Sequence, residues 1–199
     1  DVCSSDLETW SGFLDVIERV EGLVFRLDAN QSLNARDLER LIAEIERRRL
    51  LSRIDYLEEP IPGVWKLAAF RGSPLALAAD ESSPQITEAL ELLNAPNPPA
   101  VFIVKPTVIG GLFSLEKTFL PALYGAGKRL VFTSTFETEP GRRSLLAYLS
   151  RKNHEVAGIS TGYLYASDCL GDRPTWETIP EPGEAERRFY NSLSWIGCS

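Results

Sequence analysis

Four short apolar runs in this chain each end on a charged residue, and a stretch of helical character follows each one. Asp28 closes the run in VFRLDAN, Glu58 that in IDYLEEP, Asp80 that in LALAADES and Lys105 that in VFIVKPT. The runs are rich in β-branched and aromatic residues, and successive tips lie roughly 20–30 residues apart, about the length of one βα unit. Strand, charged tip and helix in repetition are how a (β/α) barrel gathers side chains from different strands around one point. Three carboxylates gathered in that way present only oxygen donors, which suit a hard divalent cation. Each tip alone also has a plainer reading. An Asp at a strand end often caps a helix, and Asp80 in DESSPQ could cap one starting near Pro84; Lys105 could form a surface ion pair. The ordered repetition favours the shared site.

The remaining residues extend the alternation. Trp10, Phe13, Leu14 and Ile17 give one apolar face to a helix from Glu8 to about Val20, followed by a strand over Leu23 to Leu27. Asn34 is placed to cap a helix carrying Leu38, Leu41, Ile42 and Ile45 on one face and running towards Arg49, with basic residues in its last turn. Strands are expected over Ile54–Leu57, Pro74–Ala78, Val101–Val104 and Leu130–Phe132, with a weaker one over Ile159–Tyr165. Helices are expected over Val64–Phe70, Ile86–Leu93, Leu112–Tyr124 and Arg143–Leu149, with a short one over Glu184–Leu193. Gly125 and Gly127 read as a C-cap pair, and the Pro- and Asn-rich stretch after Leu93 as a breaker. Strands alternating with helices imply a parallel α/β sheet, here an incomplete TIM-type barrel of about six βα units.

Composition narrows the function classes. The net charge of −7 argues against a nucleic-acid partner, which needs a basic face. No apolar run approaches the ~20 residues needed to span a bilayer, and no basic start with an apolar centre marks a secretory leader. Cys3, Cys169 and Cys198 are odd in number and irregularly spaced, which suggests neither a disulfide framework nor a zinc site. A cytoplasmic protein is expected, with no membrane partner and an oligomeric state the residues do not indicate. The chain contains no methionine, and Asp1 to Leu7 matches the translation of a widely used sequencing adapter. Residues 1–7 are therefore expected to be a non-native tail, residues 8–170 a partial barrel domain and residues 171–199 a C-terminal tail.

RLDAN, YLEEP, ADES and VKPT, in that order, resemble the barrel domain of the enolase superfamily, and most closely its o-succinylbenzoate synthase members. Thr133-Ser134-Thr135-Phe136-Glu137 resembles the Ser-rich turn after a late strand of that family, and Gly158-Ile159-Ser160-Thr161-Gly162 its Gly-Leu-X-Thr-Gly turn. The resemblance implies that Asp28, Glu58 and Asp80 bind Mg²⁺, with Mn²⁺ as a substitute, and that Lys105 acts in catalysis across a small carboxylate substrate. It implies further that Arg26 and Asn30, on the face of Asp28, and Thr133 and Gly158, towards the succinyl end, contact substrate or nearby oxygens. Glu59, the second Glu of YLEEP, is expected to face away from the ion as a solvated or outer carboxylate.

One departure bears on activity. The family carries Lys-X-Lys on the strand before RLDAN, its second lysine being the general base, and this chain contains no Lys-X-Lys. The expected reaction of the parent protein is a syn dehydration that forms o-succinylbenzoate in menaquinone synthesis, with racemisation or epimerisation of an N-acylated amino acid or dipeptide as the alternative. The chain alone is expected to lack the base, an N-terminal capping domain and at least one strand, and so to turn over negligibly. A non-catalytic, metal-binding remnant is the reading from another class. His154, the only histidine, reads as a solvated residue; Gly110-Gly111 lacks the Gly-Lys of a phosphate loop; and the four tryptophans read as packing residues.

Overall fold

A computed structural model describes residues 7–135, 137, 139–151, 157 and 158. Among them five strands form one parallel sheet in sequence order: β1 (Phe25–Asp28), β2 (Ile54–Glu58), β3 (Leu77–Ala79), β4 (Val101–Val104) and β5 (Arg129–Phe132). Sequential parallel neighbours require a crossover after each strand, so the sheet curls as part of a (β/α) barrel. The expected sixth strand, the helix over Glu184–Leu193, His154, Cys3, Cys169, Cys198, Trp176 and Trp195 lie outside the described residues.

Alternation along β4 shows how the sequence builds two layers. Phe102 and Val104 pack outward with Leu57, Ala79, Leu130 and Phe132 in the large core beneath the helices. Val101 and Ile103 point the other way, joining Tyr56, Ala78 and Val131 on the concave face. Both faces of the strand are covered, which is why VFIV is apolar throughout. Phe102 is fully buried and meets Phe119 edge-on, with ring centroids 5.4 Å apart. Burying side chains of this size contributes about 1.5–3 kcal/mol each.

The outer layer holds α1 (Leu7–Arg19), α2 (Ala35–Arg47) and α3 (Ile86–Leu93). It continues with α4 (Leu112–Ser114), a π-helical stretch (Leu115–Phe119), α5 (Leu120–Gly125) and α6 (Glu139–Leu149). Asn34 caps α2 as expected, its Oδ1 accepting from the Asp37 amide at 3.0 Å, and Leu38, Leu41, Ile42 and Ile45 are its buried face. Arg48, read from sequence as an ordinary helix end, instead bridges two helices. Its guanidinium pairs with Asp15 at 2.5 Å and Glu18 at 3.6 Å on α1, and with Glu44 at 2.7 Å on α2.

The helix expected over Val64–Phe70 does not form. Two 3₁₀ turns, Val64–Lys66 and Ala68–Phe70, replace it. Gly63 enters them at φ +68°, and Pro60 and Pro62 just upstream cannot donate helical hydrogen bonds. β1 also begins later than expected, leaving Leu23 and Val24 exposed. No helix among the described residues is long and apolar enough to cross a membrane.

Candidate active site

Parallel register brings the charged tips together. Asp28 lies directly opposite Glu58 across β1 and β2, and Glu58 lies opposite Ala78 on β3. Asp80 follows the end of β3 and Lys105 the end of β4, and their side chains meet at this same end of the sheet. All four stand at the C-terminal ends of their strands, the end at which barrel enzymes place their chemistry.

Lys105 Nζ forms an ion pair with Asp80 Oδ2. Burial pushes the Glu58 carboxyl up to about 9, with the charges of Asp28 and Asp80 adding to the shift and protonated Glu58 donating to Asp80. Asp28 Oδ1 accepts from the Asn30 amide at 2.8 Å. One proton and one ammonium thus offset only part of the charge that three acidic groups would carry. In this arrangement, no group of three or more His, Cys, Asp or Glu side chains among the described residues is set to hold a metal ion. The carboxylates that were expected to converge are neighbours, and Asp80 is engaged by the lysine. By donor chemistry alone, as an all-oxygen set, they suit Mg²⁺.

Of the two readings offered for Glu59, solvated or outer carboxylate, the structure shows the outer one. It is not solvated but fully buried, on backbone at φ +38°, a left-handed conformation that costs a non-glycine residue about 1–3 kcal/mol. Four hydrogen bonds hold it. Its Oε1 accepts from the amides of Asp80 (2.9 Å) and Ser82 (2.8 Å), and its Oε2 from Ser82 Oγ (2.8 Å) and Gln31 Nε2 (3.1 Å). The turn away from regular strand geometry at Glu59 is what redirects this side chain, and no propensity rule signals it.

The other expected contacts divide. Arg26 sits one pleat below Asp28, paired with Asp55 at 3.0 Å and lying over the Tyr56 ring at 5.2 Å, and Asp55 also holds Arg129 at 2.8 Å. It belongs to a charged layer beneath the site. Asn30 does not continue the strand face of Asp28, because β1 ends there and Asn30 and Gln31 turn through φ +46° and +57°. Thr133 and Gly158 do come together, bridging in parallel, and Thr133 Oγ1 donates to Gly158 O at 2.9 Å. The Gly158 amide donates to Phe132 O and its carbonyl also accepts from the Ser134 amide, so both backbone groups extend the sheet rather than face a ligand.

Two further features lie on this side. A cavity of about 300 Å³, lined by Asp80, Glu81, Ser83, Ile103, Lys105 and Val108, opens beside the Asp80–Lys105 pair. Glu137 is buried under the neighbouring loop, with Oε1 accepting from Thr107 Oγ1 (2.8 Å) and Thr135 Oγ1 (2.7 Å). These hydrogen bonds and those from backbone amides outweigh burial and hold its carboxyl below the usual range.

A parallel, curling sheet with acidic tips on three successive strands and a lysine on the fourth defines the fold as a partial (β/α) barrel. Solved structures with this fold include a dipeptide epimerase from Methylococcus capsulatus, complexed with a Mg ion, at 22% identity and a TM-score of 0.67. The similarity covers 84% of this chain and 48% of that one. Muconate lactonizing enzyme from Pseudomonas putida follows at 17% identity and TM-score 0.71, covering 92% and 54%, and an enolase from Streptomyces coelicolor at 18% and 0.72, covering 98% and 54%. The chain spans about half the length of these structures, and the barrel that the enolase-superfamily resemblance implied is the fold observed. No protein-family model and no curated protein matches the sequence.

Proposed function

We propose that this chain carries the cation- and lysine-bearing part of an enolase-superfamily active site, one that labilises a proton beside a substrate carboxylate. The observation that carries the reading is the placement of Asp28 opposite Glu58, with Asp80 paired to Lys105, at the same end of one parallel sheet. Asp28, Glu58 and Asp80 would hold Mg²⁺ or Mn²⁺, which supplies Lewis acidity to the substrate carboxylate. Lys105, at the mouth of the adjacent cavity, donates hydrogen bonds to the charge that builds on the substrate as its α-proton leaves, or carries a proton itself. Val108 and Ile103 give that side of the cavity an apolar lining. The location that goes with this reading is the cytoplasm, supported by cysteines that form no disulfide pattern.

Within that chemistry the first assignment is o-succinylbenzoate synthesis, by syn dehydration of 2-succinyl-6-hydroxy-2,4-cyclohexadiene-1-carboxylate, supported by the ordered RLDAN, YLEEP, ADES and VKPT motifs. The second is epimerisation of a dipeptide or racemisation of an N-acylamino acid, supported by the likeness to a dipeptide epimerase. Because Lys-X-Lys is missing, the 199-residue chain is expected to bind the ion and to turn over neither substrate appreciably. Calorimetric titration with Mg²⁺ should show saturable binding that D28N, E58Q and D80N each weaken at least tenfold. A folded chain that binds no divalent ion removes this reading and, with it, that of a non-catalytic, metal-binding remnant. A parent protein extended upstream to include the base should release water from the cyclohexadiene substrate. Solvent deuterium entering the α-position of a dipeptide, without dehydration of that substrate, would instead select epimerisation.

A further inference from the structure

Glu59 is adjacent in sequence to Glu58, yet its bonds reach the loops after both neighbouring strands. Its own amide donates to Ala78 O on β3 at 3.0 Å, and its carbonyl accepts from the Gln31 amide after β1. The side chain repeats the pattern, taking Gln31 on one side and Asp80 and Ser82 on the other. One fully buried residue thereby joins the segments that carry Asp28, Glu58 and Asp80, and it does so in a left-handed conformation that favours glycine. Glycine there would relieve the backbone and lose every side-chain bond.

The bonds to Asp80 and Ser82 act at the step that matters most for Asp80. β3 ends at Ala79, and Asp80 itself belongs to the turn, where Ser83 donates back to Asp80 O from its amide at 2.9 Å. A turn residue has no sheet ladder to hold its direction. Anchoring its amide on a buried carboxylate sets where the Asp80 side chain starts, and therefore whether it can reach towards Glu58 as well as Lys105.

We infer that Glu59 is a positioning residue, a carboxylate brace that sets the spacing of Asp28, Glu58 and Asp80 and presents Asp80 for cation binding. The inference rests on the proposed cation site. Position, not charge, is the operative property, because all four partners of the carboxylate are donors and two of them can adapt. In Glu59→Gln the amide oxygen keeps the Asp80 and Ser82 amides, the Ser82 hydroxyl rotates to accept, and the Gln31 amide flips to present its oxygen. Glu59→Ala leaves the two backbone amides buried without acceptors.

Mn²⁺ affinity of the 199-residue chain, read by electron paramagnetic resonance, and hydrogen exchange at the Asp80 and Ser82 amides test the brace together. Glu59→Gln should bind Mn²⁺ within about threefold of the unmodified chain and keep both amides protected. Glu59→Ala should bind at least tenfold more weakly and exchange both amides at least tenfold faster. If Glu59→Ala fails to fold, the double variant Gln31→Ala with Ser82→Ala, which cuts only the Oε2 bonds, should still weaken Mn²⁺ binding severalfold. Unchanged affinity and exchange in Glu59→Ala, or in the double variant where it takes that place, overturns the brace. So does a Glu59→Gln variant as impaired as Glu59→Ala, since charge would then be what counts. An unmodified chain that binds no Mn²⁺ overturns the cation reading itself. Binding that is equal in all variants overturns the brace alone.

Discussion

Glu58 and Lys105 are the side chains whose chemistry the fold changes most. Glu58 carries its proton up to about 9 in the folded chain, well above the ordinary carboxylate range, because burial and two acidic neighbours disfavour its charge. A carboxyl raised on folding contributes stability below its unfolded value and loses it as pH climbs towards its folded value. In a chelator, thermal denaturation should therefore show falling stability between roughly pH 4.5 and about 9, with the fall diminished in Glu58→Gln. Cation binding must displace that proton, so Mg²⁺ affinity should rise by up to about tenfold per pH unit over the same interval. A flat affinity between pH 6 and 8 would count against Glu58 as a ligand. Lys105→Met removes the ammonium that holds Asp80, so Mn²⁺ affinity should increase severalfold while any turnover by the parent protein disappears. Weaker Mn²⁺ binding in that variant would mean that Lys105 supports the cation site rather than competing for Asp80.

At the scale of elements, the regular pieces were the readable ones. Ile86–Leu93 and Val101–Val104 form where their apolar patterns placed them, and the Asn34 cap opens α2. Each follows from contacts within a few residues of chain or from one repeating face. Arg48 shows what such patterns miss: a basic residue at a helix end also serves the dipole, and nothing in ERRR distinguishes that from a link to Asp15 and Glu18 some thirty residues away. Its guanidinium is largely covered while the three carboxylates remain partly exposed, so Arg48→Met should lower stability by only about 1 kcal/mol, visible as a small drop in the urea midpoint. A loss of several kcal/mol would show that the pair is far less screened than this.

For the whole molecule, β1 is an edge strand of the described sheet, paired there only with β2. Its second edge partner does not appear there, and Leu23 and Val24 just before it are more than half exposed. Unpaired strand edges recruit other chains. Light scattering on the 199-residue chain should detect association that grows with concentration, and Val24→Lys should reduce it. A monodisperse chain at high concentration would show that the edge is covered.

Local order along the chain was enough to specify the repeating strands, the cap, the two-sided apolar strand and the acidic tips, because each depends on short-range periodicity and on residue chemistry. Folding in three dimensions settled the matters that involve two loops at once. It set the left-handed turn that buries Glu59, the transfer of Asp80 to Lys105, and the closing of Gly158 onto β5 in place of a ligand. Those outcomes depend on which distant donor reaches a buried carboxylate or carbonyl first, and residue spacing carries no record of that competition.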